Sequence, residues 1–195
     1  MAKLIFNYSA MNAGKSTALL QASYNYHERG MRTMLMTAAI DNRYGEAVIS
    51  SRLGISSHAF IFRESDDVLA MVSKEHHQNT ISCVLIDEAQ FLTKEHVWQI
   101  SQIADQMNIP VLAYGLRTDF QGELFPGSAA LLAIADHIRE IRTICWCGRK
   151  AIMVLRLDAD GQPIMAGEQI AVGGNDLYVS VCRRHWVSRD KGNHG

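Results

Sequence analysis

The run Ser9-Ala10-Met11-Asn12-Ala13-Gly14-Lys15-Ser16-Thr17 constrains this chain more than any other feature. It lies between an apolar stretch, Lys3 to Tyr8, and an amphipathic one, Lys15 to Arg29, which Gly30 is placed to end as a C-terminal cap. The run follows the pattern G-x-x-x-x-G-K-[ST], with Ser9 at the first glycine position. In such a turn successive backbone N–H groups converge on phosphate oxygens, and Gly14 lets the main chain approach where a side chain would block it. The following helix adds its positive end. Lys15 is placed to neutralise β and γ phosphates, and the Ser16 hydroxyl to bind Mg²⁺. Ser9 suits the turn if its φ stays negative, since a hydroxyl supports turns. An ordinary strand–turn–helix junction is the alternative; the strand before and the helix after favour the phosphate turn.

With 195 residues, 48% of them apolar, the chain can bury its own core, which excludes a disordered or fibrous protein. Arg32 to Thr37, Ser82 to Ile86 and Pro110 to Tyr114 are apolar runs of strand length. Between the last two, Val97, Ile100, Ala104 and Met107 recur at helical spacing after Thr93, a suitable N-cap. Strands alternating with helices behind a phosphate turn indicate an α/β fold of the P-loop NTPase kind, a mostly parallel sheet flanked by helices. Near Cys145 helical periodicity ends, and short β-like runs follow (Ala151 to Leu157, Leu177 to Val181), with a glycine-rich stretch from Asp158 to Gly174. The expected division is a nucleotide-binding domain over 1–144, a small β domain over 145–188 and a flexible tail over 189–195.

No apolar run approaches the roughly 18 residues that span a bilayer, and the N-terminus lacks an export cleavage pattern. A net charge of −1 provides no global field for nucleic acid or anionic lipid. A cytoplasmic protein without nucleic-acid or membrane partners is expected, its cysteines reduced or metal-bound.

Cys83-Val84-Leu85-Ile86-Asp87-Glu88 reads as an apolar strand ending in two carboxylates. Asp87 suits the strand-end acid that holds Mg²⁺ in phosphate-loop enzymes, and Glu88 the general base that deprotonates an attacking hydroxyl or water. Alone, two such acids are as readily solvated turn residues; the phosphate turn is what favours function. Asp87-Glu88-Ala89-Gln90 also resembles a helicase box, but a motor needs a second lobe and a basic strand channel that this length and charge do not offer.

Cys145-Trp146-Cys147 and Cys182-Arg183-Arg184-His185 supply four soft or borderline ligands, the set that tetrahedral structural Zn²⁺ takes. Four protein ligands leave no open position, so the role is structural, a staple for a small β domain. The C-x-C spacing is tighter than a usual zinc knuckle, and the alternative is two core cysteines with an exposed histidine. His27, His76 and His77 are expected at the surface, Cys83 as a buried thiol, and core positions among Met31, Met34 and Met36.

Together these residues resemble the thymidine kinase family of the zinc-containing, single-phosphate-loop type, its bacterial members most. The likeness extends from Ser9 to His185 through Asp87-Glu88-Ala89-Gln90-Phe91, Tyr114-Gly115-Leu116-Arg117-Thr118-Asp119-Phe120, Cys145-Trp146-Cys147-Gly148 and Gly173-Gly174-Asn175-Asp176-Leu177-Tyr178. It implies transfer of the γ-phosphoryl group of ATP, with Mg²⁺, to the 5′-hydroxyl of thymidine or deoxyuridine, with Glu88 as base. It also implies phosphate-donor contacts from residues 9–17, Asp87 and Gln90. Met11, Phe91, Leu116, Phe120, Phe125 and Tyr178 fall where the family holds the nucleoside. Val172, Gly173 and Gly174 fall in a lasso that closes over it. A homotetramer is implied as well. Arg43, in Asp41-Asn42-Arg43, is a further candidate phosphate contact, and Ala89 stands where relatives often have Cys.

Overall fold

In a computed structural model of the chain, residues 1–39, 48–169 and 177–192 are described. Arg43, Val172, Gly173 and Gly174 lie outside them. In chain order the first elements are β1 (Leu4–Ser9), α1 (Lys15–His27), β2 (Thr33–Ala38), β3 (Val48–Ser50), β4 (Ser56–His58), β5 (Phe60–Phe62), α2 (Val68–Gln78), β6 (Cys83–Ile86), α3 (Lys94–Gln106), β7 (Val111–Leu116), α4 (Pro126–Ile134) and β8 (His137–Glu140). Six strands form one sheet in the order β5-β2-β6-β7-β1-β8, every neighbouring pair parallel. This is the expected α/β architecture.

A parallel sheet is covered on both faces, so its central strands are apolar throughout, and every residue of β2 and β6 is buried. Alternation then divides them. Phe6, Met34, Met36, Val84, Ile86, Val111 and Ala113 face α2, α3 and α4, where Val72, Val97, Ile100, Ile103 and Leu131 close the larger core. Leu35, Cys83, Leu85 and Tyr114 face α1, through Leu19 and Leu20. The helix after Thr93 starts where its cap predicts: the Thr93 hydroxyl accepts the His96 N–H at 3.0 Å while the His96 ring accepts the Thr93 N–H at 3.3 Å. The first helix ends at His27 rather than Arg29, with Gly30 in the left-handed region (φ 69°) of the turn beyond.

The remaining elements are β9 (Thr143–Ile144), β10 (Lys150–Ala151), β11 (Met153–Leu157), β12 (Pro163–Ile164), β13 (Tyr178–Val181) and α5 (Arg183–Ser188). The strands β12-β11-β13 make an antiparallel sheet and β9 pairs with β10. Their core is small: Cys145, Ala151, Leu155, Val181 and Cys182. Helix α5 is not legible in the sequence, because six residues are too few to show a helical period. Beyond α5, Asp190 donates its N–H to the His185 carbonyl, and Lys191 its ammonium to the Gly161 carbonyl. Among the described residues no helix is long and apolar enough to cross a membrane.

Helix α4 presses its first turn against the segment after β6. A Cβ at Gly127 would sit 2.5 Å from the Leu92 carbonyl oxygen and 2.7 Å from that of Ala89. An exposed helical Gly→Ala change adds up to about 1 kcal/mol of stability. Gly127→Ala should instead cost about 1–3 kcal/mol in urea unfolding, because backbone must move.

Candidate active site

Strand β1 delivers the chain to the carboxyl edge of the sheet, where the turn 10–14 reverses it into α1. Two residues of that turn take left-handed backbone, Asn12 (φ 59°) and Gly14 (φ 85°); Ser9 does not. No side chain caps α1, so its first amides are left for a ligand. The Ser9 hydroxyl donates to the Ala10 carbonyl at 2.6 Å and accepts from Lys15 Nζ at 3.3 Å, so the residue at the glycine position holds the lysine.

Parity along β6 places Asp87 on the α1 face with Cys83 and Leu85. There Ser16 Oγ donates to Asp87 Oδ2 at 2.7 Å. Strand β7 lies between β1 and β6, so the acid comes not from the strand beside the phosphate turn but from the next one. Burial pushes the Asp87 carboxyl up to about 6, the Glu88 charge adds to this, and the Ser16 hydroxyl and Lys15 oppose it. Desolvation pushes the Lys15 ammonium below its ordinary value, with Glu88 and Asp87 opposing.

Glu88 is half-buried and held at φ 52°, a conformation that costs a non-glycine residue about 1 kcal/mol or more. Its side chain accepts a hydrogen bond from Gln90 Nε2. Gln90 Oε1 in turn accepts the Leu116 N–H at 3.0 Å. Gln90 is 1% exposed, so it sits inside the turn after β6. Its amide bridges Glu88 and β7.

The expected nucleoside contacts fall into two groups. Phe91 meets Phe125 edge to face at 5.8 Å, beside Leu116, whose carbonyl accepts the Ser128 hydroxyl. Phe120 is 2% exposed and lies under the Arg156 guanidinium, 5.0 Å from its ring centre, so it backs this region rather than lining open space. Tyr178 forms the second group with Met11, whose carbonyl accepts the Ser180 hydroxyl at 2.5 Å. A cavity of about 540 Å³ runs from Asn12 past Tyr178 and Ser180 to Cys145 and Trp146; Phe91, Leu116, Phe120 and Phe125 do not line it. Ser128, Ser180 and Arg156 carry no motif that the sequence alone would reveal.

Cys145, Cys147, Cys182 and His185 converge, with their ligand atoms all within 4.8 Å of one another. The tight C-x-C is accommodated by the hairpin turn between β9 and β10, where Gly148 takes φ 81° and returns its N–H to the Cys145 carbonyl. Cys182 stands at the start of α5, which brings His185 Nδ1 to 3.6 Å from the Cys182 sulfur and 3.3 Å from that of Cys145. Three sulfurs and one imidazole nitrogen at these spacings fit a tetrahedral ion with metal–sulfur bonds of about 2.3 Å. The His185 N–H, first among the backbone donors, holds the Cys182 thiol below its ordinary value, whereas burial pushes that of Cys145 up.

The family model described as thymidine kinase matches residues 2–186. A thymidine kinase of Agrobacterium fabrum is 63% identical over 187 residues, covering 96% of this chain and 97% of that protein. One from Ruegeria pomeroyi is 62% identical, covering 95% and 94%, and one from Yersinia pestis 60% identical, covering 95% of each.

The raised Asp87 carboxyl has a consequence for stability. Between its unfolded value near 4 and its folded value of about 6 the native state binds more protons, so this group favours folding most at low pH and loses that contribution as pH rises. Without divalent cations, Asp87→Asn should therefore be more stable than the parent by about 1–3 kcal/mol at pH 8, the gap narrowing toward pH 5. Thermal melts across that range check it.

Proposed function

Because this chain belongs to the thymidine kinase family, we propose that it transfers the γ-phosphoryl group of ATP to the 5′-hydroxyl of thymidine. The observation that supports this most is the Ser16–Asp87 hydrogen bond, which makes the phosphate turn and the acid pair a single site. The free amides at the start of α1 and the Lys15 ammonium hold the triphosphate. Ser16 Oγ and an Asp87 carboxylate oxygen, 2.7 Å apart, are hard donors suited to Mg²⁺. When bound, that ion neutralises charge on the β and γ phosphates. Glu88 takes the proton of the 5′-hydroxyl, whose oxygen attacks the γ phosphorus as its bond to the bridging oxygen of ADP breaks. Gln90 fixes one carboxylate oxygen of Glu88 and leaves the other to the nucleoside.

Met11, Phe91, Leu116 and Tyr178 border the base and sugar, and Phe120 and Phe125 support that wall. Exclusion of water matters, since water competes with the sugar hydroxyl for the phosphoryl group. Cys145, Cys147, Cys182 and His185 hold a structural Zn²⁺. The enzyme works in the cytoplasm as a homotetramer, with 1–144 as its nucleotide-binding domain and 145–188 as its zinc-bearing lasso domain.

Purified protein should transfer labelled phosphate from ATP to thymidine. Glu88→Gln should lower kcat about 10²–10⁴-fold with an unchanged melting temperature; full turnover in that variant would refute the assignment of the base. Elemental analysis should find about one zinc per chain, and stripping it with a chelator should lower the melting temperature.

A further inference from the structure

We propose that Ser180 and Trp186 are positioning residues, two hooks by which the segment carrying Cys182 and His185 sets the walls of the nucleoside cleft. The inference rests on the reading of that cleft given above. Ser180 Oγ donates to the Met11 carbonyl at 2.5 Å. That carbonyl is thereby turned toward β13, and the tip of the phosphate turn is tied to the strand that bears Tyr178. Tyr178 and Ser180, two residues apart, share one strand face, so the bond sets the spacing between Tyr178 and Met11.

The second hook starts six residues later in the same segment. Trp186 Nε1 donates to the Phe120 carbonyl at 3.1 Å, and its ring packs where a Cβ at Gly122 would lie 3.4 Å away. The turn it grips is already rigid, because Asp119 Oδ1 accepts the N–H groups of Gln121 and Glu123. Asp119 Oδ2 accepts from Gln169, which lies within the glycine-rich stretch. The ligand pair Cys182 and His185 lies between the two hooks in sequence. A metal bound there fixes the segment, and the hooks carry that rigidity to the phosphate turn on one side and the Phe120 turn on the other.

Both hooks come from half-buried groups whose bonds water can replace, so they add little to net stability. Their effect is on placement, to which ligand binding and catalysis are sensitive.

The test is steady-state kinetics of the parent, Ser180→Ala, Ser180→Thr and Trp186→Phe, with zinc content and melting temperature measured for each. Ser180→Ala and Trp186→Phe should each raise KM for thymidine about three- to tenfold, the effect of one lost hydrogen bond. KM for ATP should rise less than KM for thymidine, zinc content should stay at the parental value, and Ser180→Thr should restore thymidine KM. An unchanged thymidine KM overturns the corresponding hook. So does an equal rise in KM for both substrates, or a rise accompanied by zinc loss, since either marks a general structural role. A parent enzyme that fails to phosphorylate thymidine removes the reading of the cleft, and this inference with it.

Discussion

A hydrogen bond from the Ser16 hydroxyl to Asp87 joins two segments 71 residues apart, and the site depends on it. It brings a helix start rich in free amides against a strand end rich in negative charge, with Lys15 partly desolvated beside them. Each group is costly without the others. Burial disfavours the charged forms of both Lys15 and Asp87, and their mutual attraction offsets part of that cost. Titratable groups perturbed in this way by burial and by one another are what functional sites gather.

The turn after β6 shows how the scaffold supports that cluster. It fits between β7 and α4 only because both neighbours lack a side chain at the contact. A Cβ at Gly115 would lie 2.9 Å from the Gln90 nitrogen, and one at Gly127 would clash with the turn's carbonyls. Wedged there, Gln90 reaches both Glu88 and the Leu116 N–H, and Glu88 is kept in a conformation it would not choose alone. Local strain is thus held by packing from two sides.

The cluster of Cys145, Cys147, Cys182 and His185 lies in the second unit, whose buried core among the described residues is five residues. Trp146 stacks on His185 at 4.3 Å and 12°, its indole N–H donates to Asp190, and Gly192 lies against its outer face. His185 is thus oriented by an aromatic ring that the tail itself contacts. The ring that these tail residues meet lies more than 40 residues away in sequence.

What could be read from the sequence was local. The phosphate turn, the strand before it, the Thr93 cap and the two cysteine-containing pairs are each set by neighbours within a few residues, where steric and hydrogen-bonding rules act directly. The strand β8, exposed and at the sheet edge, shows no apolar run to detect. Tertiary structure alone decided that β7 separates β1 from β6, that Gln90 turns inward, and that Ser180 and Trp186 reach across to Met11 and Phe120. Those outcomes depend on which faces of distant elements meet as the apolar surfaces are buried, and a single side chain carries no mark of a partner it finds only when the whole sheet has closed.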